Sequence, residues 1–115
     1  MKYTGGCHCQ AVRFEVEVSL DNVISCNCSI CSKKGHWLAF APAKDFRLLF
    51  GEDSLTDYQF GKKMIHHLFC KVCGIGAFGK GALPDGTEMR AINVRCLDGI
   101  DLDKIKVTAV DGKSF

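Results

Sequence analysis

No apolar run approaches the ~18 residues that a membrane-crossing helix needs, so no membrane span is expected. The first residues, Met1-Lys2-Tyr3-Thr4-Gly5-Gly6, hold neither the apolar stretch nor the cleavage site of an export signal. The expected compartment is therefore the reducing cytoplasm. Lysine and arginine (15) barely outnumber aspartate and glutamate (13), and the basic residues are scattered, which argues against a dedicated nucleic-acid surface. Proline is scarce (2), no segment is of low complexity, and no period repeats, so a repeat array is excluded.

What remains is an ordinary soluble composition: 115 residues, 47% apolar and 24% charged. Residues 1–115 are expected to form a single domain. A domain of this length buries roughly 65% of its unfolded surface and needs no covalent staples to hold a core. Against that background the eight cysteines stand out.

They lie at 7, 9, 26, 28, 31, 70, 73 and 96. Four disulfides would need an oxidising compartment, and disulfide frameworks usually scatter their cysteines. Here seven of the eight fall in three tight groups: Cys7-His8-Cys9, Cys26-Asn27-Cys28-Ser29-Ile30-Cys31 and Cys70-Lys71-Val72-Cys73. Such groups suit a metal ion. A Cys-x-x-Cys turn converges two thiolates on one ion at about 2.3 Å, and Gly74 supplies the positive φ such a turn often needs. In an extended Cys-x-Cys segment both side chains share a face. All-thiolate sites select zinc or iron–sulfur clusters, and the spacings do not match those of known iron–sulfur proteins, so zinc is expected. A closed structural site takes four ligands, which Cys7, Cys9, Cys70 and Cys73 supply as two pairs. Cys26, Cys28 and Cys31 then form a group of three, the pattern of a reactive zinc with an open position. Cys96 either closes that second site or is a buried thiol. Spacing leaves the partition open, since Cys7 and Cys9 with Cys28 and Cys31 is also conceivable.

Hydrophobic patterning points to strands. From Gln10 to Val18, Val12, Phe14, Val16 and Val18 alternate with Arg13, Glu15 and Glu17, as in a half-buried antiparallel strand. Further strands are expected at Asn22–Ser25, Trp37–Ala41 (stopped by Pro42), Phe46–Phe50, Leu55–Phe60, Met64–Phe69, Ile75–Phe78, Glu88–Val94 and Lys106–Val110. Ser29–Lys34 and Asp101–Ile105 read as helical turns, Gly51-Glu52-Asp53 as a hairpin turn, and Gly79–Gly86 as a glycine-rich loop. The class is mainly β.

The segments Thr4-Gly5-Gly6-Cys7-His8-Cys9-Gln10-Ala11-Val12-Arg13-Phe14, Cys26-Asn27-Cys28-Ser29-Ile30-Cys31, Phe69-Cys70-Lys71-Val72-Cys73-Gly74 and Asn93-Val94-Arg95-Cys96-Leu97-Asp98-Gly99 together resemble the glutathione-dependent formaldehyde-activating enzyme family. Centromere protein V looks like a relative with the same domain. The resemblance covers nearly the whole chain. It implies an Mss4-like β-tent of antiparallel strands built around zinc. It also implies two zinc ions per chain: a structural one on Cys7, Cys9, Cys70 and Cys73, and a second on Cys26, Cys28 and Cys31 near a glutathione site. The activity it implies is condensation of glutathione with formaldehyde to S-(hydroxymethyl)glutathione, a carbon–sulfur lyase reaction.

At such a second site a zinc-bound thiol is held as thiolate, the nucleophile an aldehyde needs. Glutathione carries two carboxylates, for which Arg95, Lys33 and Lys34 are candidate partners. His66 and His67 are adjacent on an expected strand and so face opposite ways, which makes one of them a candidate acid or base. His8, between two ligands, is expected to face away from the ion. Trp37, Phe40, Phe46, Phe60, Phe69 and Phe78 are assigned to the core. The expected partner is a small thiol such as glutathione, with neither nucleic acid nor membrane. The competing functional reading is a non-catalytic zinc module that binds a protein or a small thiol.

Overall fold

The computed structural model describes residues 1–112, and strands dominate it. β1 (Lys2–Gly6), β2 (Arg13–Glu17) and β5 (Phe46–Phe50) form one antiparallel sheet in the order β1-β2-β5. β3 (Val23–Cys26), β4 (Leu38–Pro42), β8 (Phe78–Ala82), β9 (Glu88–Asn93) and β10 (Val107–Val110) form a second sheet in the order β10-β3-β4-β9-β8. In it β10 runs parallel to β3 and the other neighbours are antiparallel. β6 (Leu55–Tyr58) and β7 (His67–Cys70) pair antiparallel. A bridge between His66 and Lys80 ties this ribbon to β8. The short helix α1 (Cys31–Lys34) follows β3.

The alternation in β2 works as expected. Phe14 and Val16 are fully buried, flanked by buried Val12 and Val18. Phe14 stacks on Phe46 of β5 with ring centroids 5.3 Å apart and meets Phe78 of β8 edge-on at 6.0 Å. Phe46 and Phe78 approach to 4.6 Å. These three rings join the first sheet to the second, and the contacts add about 0.5–1.5 kcal/mol per pair beyond area burial. Ala39, Ala41, Ile92 and Val23 complete the core from the inner face of the second sheet.

Several expectations are corrected. The strand placed at Gln10–Val18 starts at Arg13, because Gln10 has φ 68° in the turn that carries Cys9. β1 escaped the patterning because Gly5 and Gly6 have little strand propensity. Glycine is required at position 5, where a Cβ would lie 2.5 Å from the Cys96 carbonyl oxygen and 2.9 Å from the Phe14 ring. Residues Gly79–Ala82 belong to β8 rather than to a loop, since the backbone of Gly79 and Gly81 pairs with β9. Gly51-Glu52-Asp53 is a turn without a hairpin, because β5 pairs with β2 and β6 with β7. Phe40 and Phe60 are not core residues; they are 47% and 42% exposed.

Candidate metal centres and an adjoining cleft

The first centre is assembled by two turns. Cys7 follows β1, and Cys9 lies in the turn before β2, closed by the Val12 carbonyl accepting from the Cys7 amide at 3.1 Å. Cys70 ends β7, and Cys73 sits in the turn that Gly74 completes at φ 81°, its amide donating to the Cys70 carbonyl at 2.8 Å. The four Sγ atoms of Cys7, Cys9, Cys70 and Cys73 lie within 4.8 Å of one another. Cys7–Cys9 and Cys9–Cys70 sulfur separations are both 3.7 Å. A tetrahedron with metal–sulfur bonds of about 2.3 Å has sulfur edges of about 3.8 Å, whereas a disulfide needs about 2.05 Å. The donor set therefore fits one tetrahedral thiophilic ion, and all eight cysteines are free.

Backbone amides support the same state. Val12 N–H points at Cys7 Sγ at 3.3 Å and Val72 N–H at Cys70 Sγ at 3.4 Å. The Cys73 thiol is lowered to about 6, first by the Cys9 amide and then by that of Ile75. Amides directed at sulfur favour the thiolate that a metal requires. A salt-bridged cluster braces the turn. Arg13 donates to both Asp98 carboxylate oxygens and, at 2.9 Å, to Gln10 Oε1, while Thr4 Oγ1 donates to Asp98 at 2.9 Å.

The second centre is carried by the end of β3 and the start of α1. The Sγ atoms of Cys26, Cys28 and Cys31 lie within 4.8 Å of one another. The Cys28 amide donates to Cys26 Sγ and the Cys31 amide to Cys28 Sγ, each at 3.4 Å. Burial and then the neighbouring thiols push Cys31 up to about 12, so the three sulfurs cannot all ionise together unless a cation offsets their repulsion. Cys96 belongs to neither group. Its charge neighbours are Cys7 and Cys73 of the first centre, and burial raises its thiol to about 11. Of the two alternatives for Cys96, its position fits a thiol outside the second group: its turn is packed against Gly5 of β1, on the side of the first centre.

A cleft of about 880 Å³ opens beside the three-thiol centre, and Cys26, Cys28 and Cys31 line it. Lys34 and His36 also line it, and both stand against Gly76: a Cβ there would lie 3.4 Å from Lys34 Nζ and 3.1 Å from His36 Cε1. Burial lowers both groups, His36 to about 4, so its imidazole is neutral at pH 7. His67 faces the cleft and is also lowered by burial. Its neighbour His66 points elsewhere and bonds Asp57 at 2.6 Å. Lys33 is exposed on α1 outside the cleft lining. Arg95 is exposed with its guanidinium 4.2 Å above the Trp37 ring centroid, also outside that lining. His8 is exposed, as expected.

Two features of the site were not anticipated. Asn93, the one buried polar residue among the described residues, donates to the Gly76 carbonyl at 3.0 Å and accepts from the Arg95 amide at 3.2 Å. It fixes the segment that brings Gly76 against Lys34 and His36. The apolar wall, with Leu38, Phe40, Ile65, Leu83 and Met89, was missed as well. The available signal was Trp37-Leu38-Ala39-Phe40-Ala41, apolar at every position, as in a strand covered on both faces.

The family model described as glutathione-dependent formaldehyde-activating enzyme matches residues 2–110. The chain belongs to the glutathione-dependent formaldehyde-activating enzyme family. A solved structure of a Rhodobacter sphaeroides protein, a structural-genomics target, is similar throughout. It is 34% identical, with a TM-score of 0.83 over 93% of this chain and 99% of that one. The mainly β architecture and the two cysteine clusters are thus features of a member of this family, and the clusters are compatible with metal binding. Among the described residues no helix is long and apolar enough to cross a membrane.

Proposed function

We propose that the protein is a zinc-dependent carbon–sulfur lyase or carrier acting on glutathione adducts of the S-(hydroxymethyl)glutathione type. The observation that carries this reading is a three-thiol centre opening onto a cleft, with the eighth cysteine outside both groups. Four thiols make a closed structural site, and three leave a coordination position for an incoming sulfur.

Zinc on Cys26, Cys28 and Cys31 would lower the pKa of a thiol bound in that fourth position and hold it as thiolate. The chain's own residues supply the rest. Lys34 Nζ, at the thiol end of the cleft, offers a cationic donor to a glutathione carboxylate. Lys33 and Arg95 are further candidates for the second carboxylate. In the forward direction a carbon–sulfur bond forms between the thiol and formaldehyde, and the thiol proton ends on the former carbonyl oxygen. Neutral His36 and His67 each provide a ring nitrogen able to take up that proton and one able to donate. Free thiols of this kind persist in a reducing cytoplasm.

A second reading, a non-catalytic zinc module, is favoured by the exposed Phe40, Phe60 and Leu83 around the cleft. Exchange spectroscopy with carbon-13 formaldehyde and glutathione separates the two. The lyase reading predicts exchange into S-(hydroxymethyl)glutathione faster than the uncatalysed rate, abolished by Cys28→Ser. An uncatalysed rate with the fully metallated protein contradicts it and leaves the module.

A further inference from the structure

An antiparallel sheet with one face in the core normally presents polar residues on the other. The five-stranded sheet does not. Its inner face holds Val23, Ala39, Ala41 and Ile92, and its outward face holds Ile24, Leu38, Phe40, Met89 and Ala91, which line the cleft. Register places these on neighbouring strands: Ile24 opposite Leu38, and Phe40 opposite Ala91. The covering connections add Ile65, 53% exposed, and Leu83, 47% exposed. Formaldehyde adds one carbon and would leave this wall in water. Glutathione can set a carboxylate against Lys34, but its polar peptide leaves this wall uncovered as well. Among the described residues the lining carries Lys34 and Lys80 as cations and no carboxylate, which disfavours a cationic ligand. Its volume falls in the range of sites that enclose a whole small molecule.

We propose that the thiol adduct handled at Cys26, Cys28 and Cys31 carries a bulky apolar group, aliphatic or aromatic, that lies on the outward face of this sheet along Leu38, Phe40 and Met89. The assignment rests on the reading of that centre as a thiol site. It deepens that reading by naming what is attached to the sulfur: an apolar group, brought by the thiol itself or by the aldehyde across whose C=O the S–H adds to give a hemithioacetal. No other reactant is required.

The test titrates the metal-loaded protein calorimetrically with 2-mercaptoethanol, 6-mercaptohexan-1-ol, 2-phenylethanethiol and glutathione. A cobalt-substituted sample reports sulfur coordination through its charge-transfer band. Affinity is expected to rise roughly three- to fourfold per buried methylene, so about a hundredfold from 2-mercaptoethanol to 6-mercaptohexan-1-ol when all four added methylenes are buried. Phe40→Ala should lose about fivefold for the longer thiol and leave the shorter one unchanged. Leu83→Ala, on an exposed connection, serves if the first variant does not fold. Equal affinities across the series with a responding cobalt band overturn the apolar assignment and leave the thiol reading. No cobalt response to any thiol overturns both. Heats that track dimerisation in light scattering also overturn the assignment and give this face to a second copy of the chain.

Discussion

Gly112 follows β10 and lies against the three-thiol centre, where a Cβ would sit 2.2 Å from Cys26 Sγ. The contact is with the sulfur of a short side chain that also accepts from the Cys28 amide, so it cannot relax cheaply. Gly112→Ala is expected to lower bound metal from two ions per chain toward one, read by elemental analysis, with the first centre intact. His36 carries a different consequence. Burial, and then Lys34, lower its folded value to about 4, whereas the unfolded chain titrates near the ordinary value of about 6.5. The unfolded state therefore binds more protons between these values, and the stability this residue contributes is present above about 6.5 and lost as pH falls toward 4. Urea midpoints measured from pH 7 to 4.5 should fall less steeply for His36→Gln than for the parent. An identical slope would contradict the burial. The grouping of the cysteines was legible from spacing, since convergence on one ion constrains the chain locally, but spacing left open which groups share a cluster, and that needed the fold. Gly112 and His36 were not. Their importance depends on which distant backbone passes close by, and local sequence does not encode that.

At the scale of elements, the first centre clamps the β1–β2 turn to the turn after β7, two segments about sixty residues apart in sequence. A structural zinc contributes ~10–16 kcal/mol of apparent binding energy, comparable to the whole ~5–15 kcal/mol stability of a domain. Cys73→Ser should therefore abolish the cooperative thermal transition in circular dichroism. Cys28→Ser, at a centre hung on a strand end and one helical turn, should keep a cooperative transition. A folded Cys73→Ser variant would show that the clamp is dispensable. Strand β2 was legible because its alternation survives at every position from Val12 to Val18. β1 and the far half of β8 were not, because glycine contributes to a ladder through backbone alone and leaves no side-chain pattern. The hairpin expected at Gly51-Glu52-Asp53 failed for the opposite reason. The turn signal was correct, but strand partners are chosen by packing: Phe46 of β5 is drawn to Phe14 and Phe78.

Across the whole molecule, the two sheets meet at the Phe14, Phe46 and Phe78 cluster, and the outward face of the larger sheet floors the cleft beside Cys26, Cys28 and Cys31. Phe14→Ala, at the fully buried ring, should cost about 3–5 kcal/mol, seen as a lower urea midpoint. Family and fold class were readable in advance because the thiol groups and their order span nearly the entire chain. The cleft was not, since it exists only once β3, β4, β9 and β8 lie side by side. The central claim is that one centre is closed by four cysteine sulfurs and the other offers three and a vacancy. Zinc-edge X-ray absorption of the two-zinc protein tests it most directly. The account predicts about 3.5 cysteine sulfurs per zinc on average, rising to about 4 when a thiol is added. A folded protein that binds no zinc, or an average of four sulfurs before any thiol is present, would contradict it.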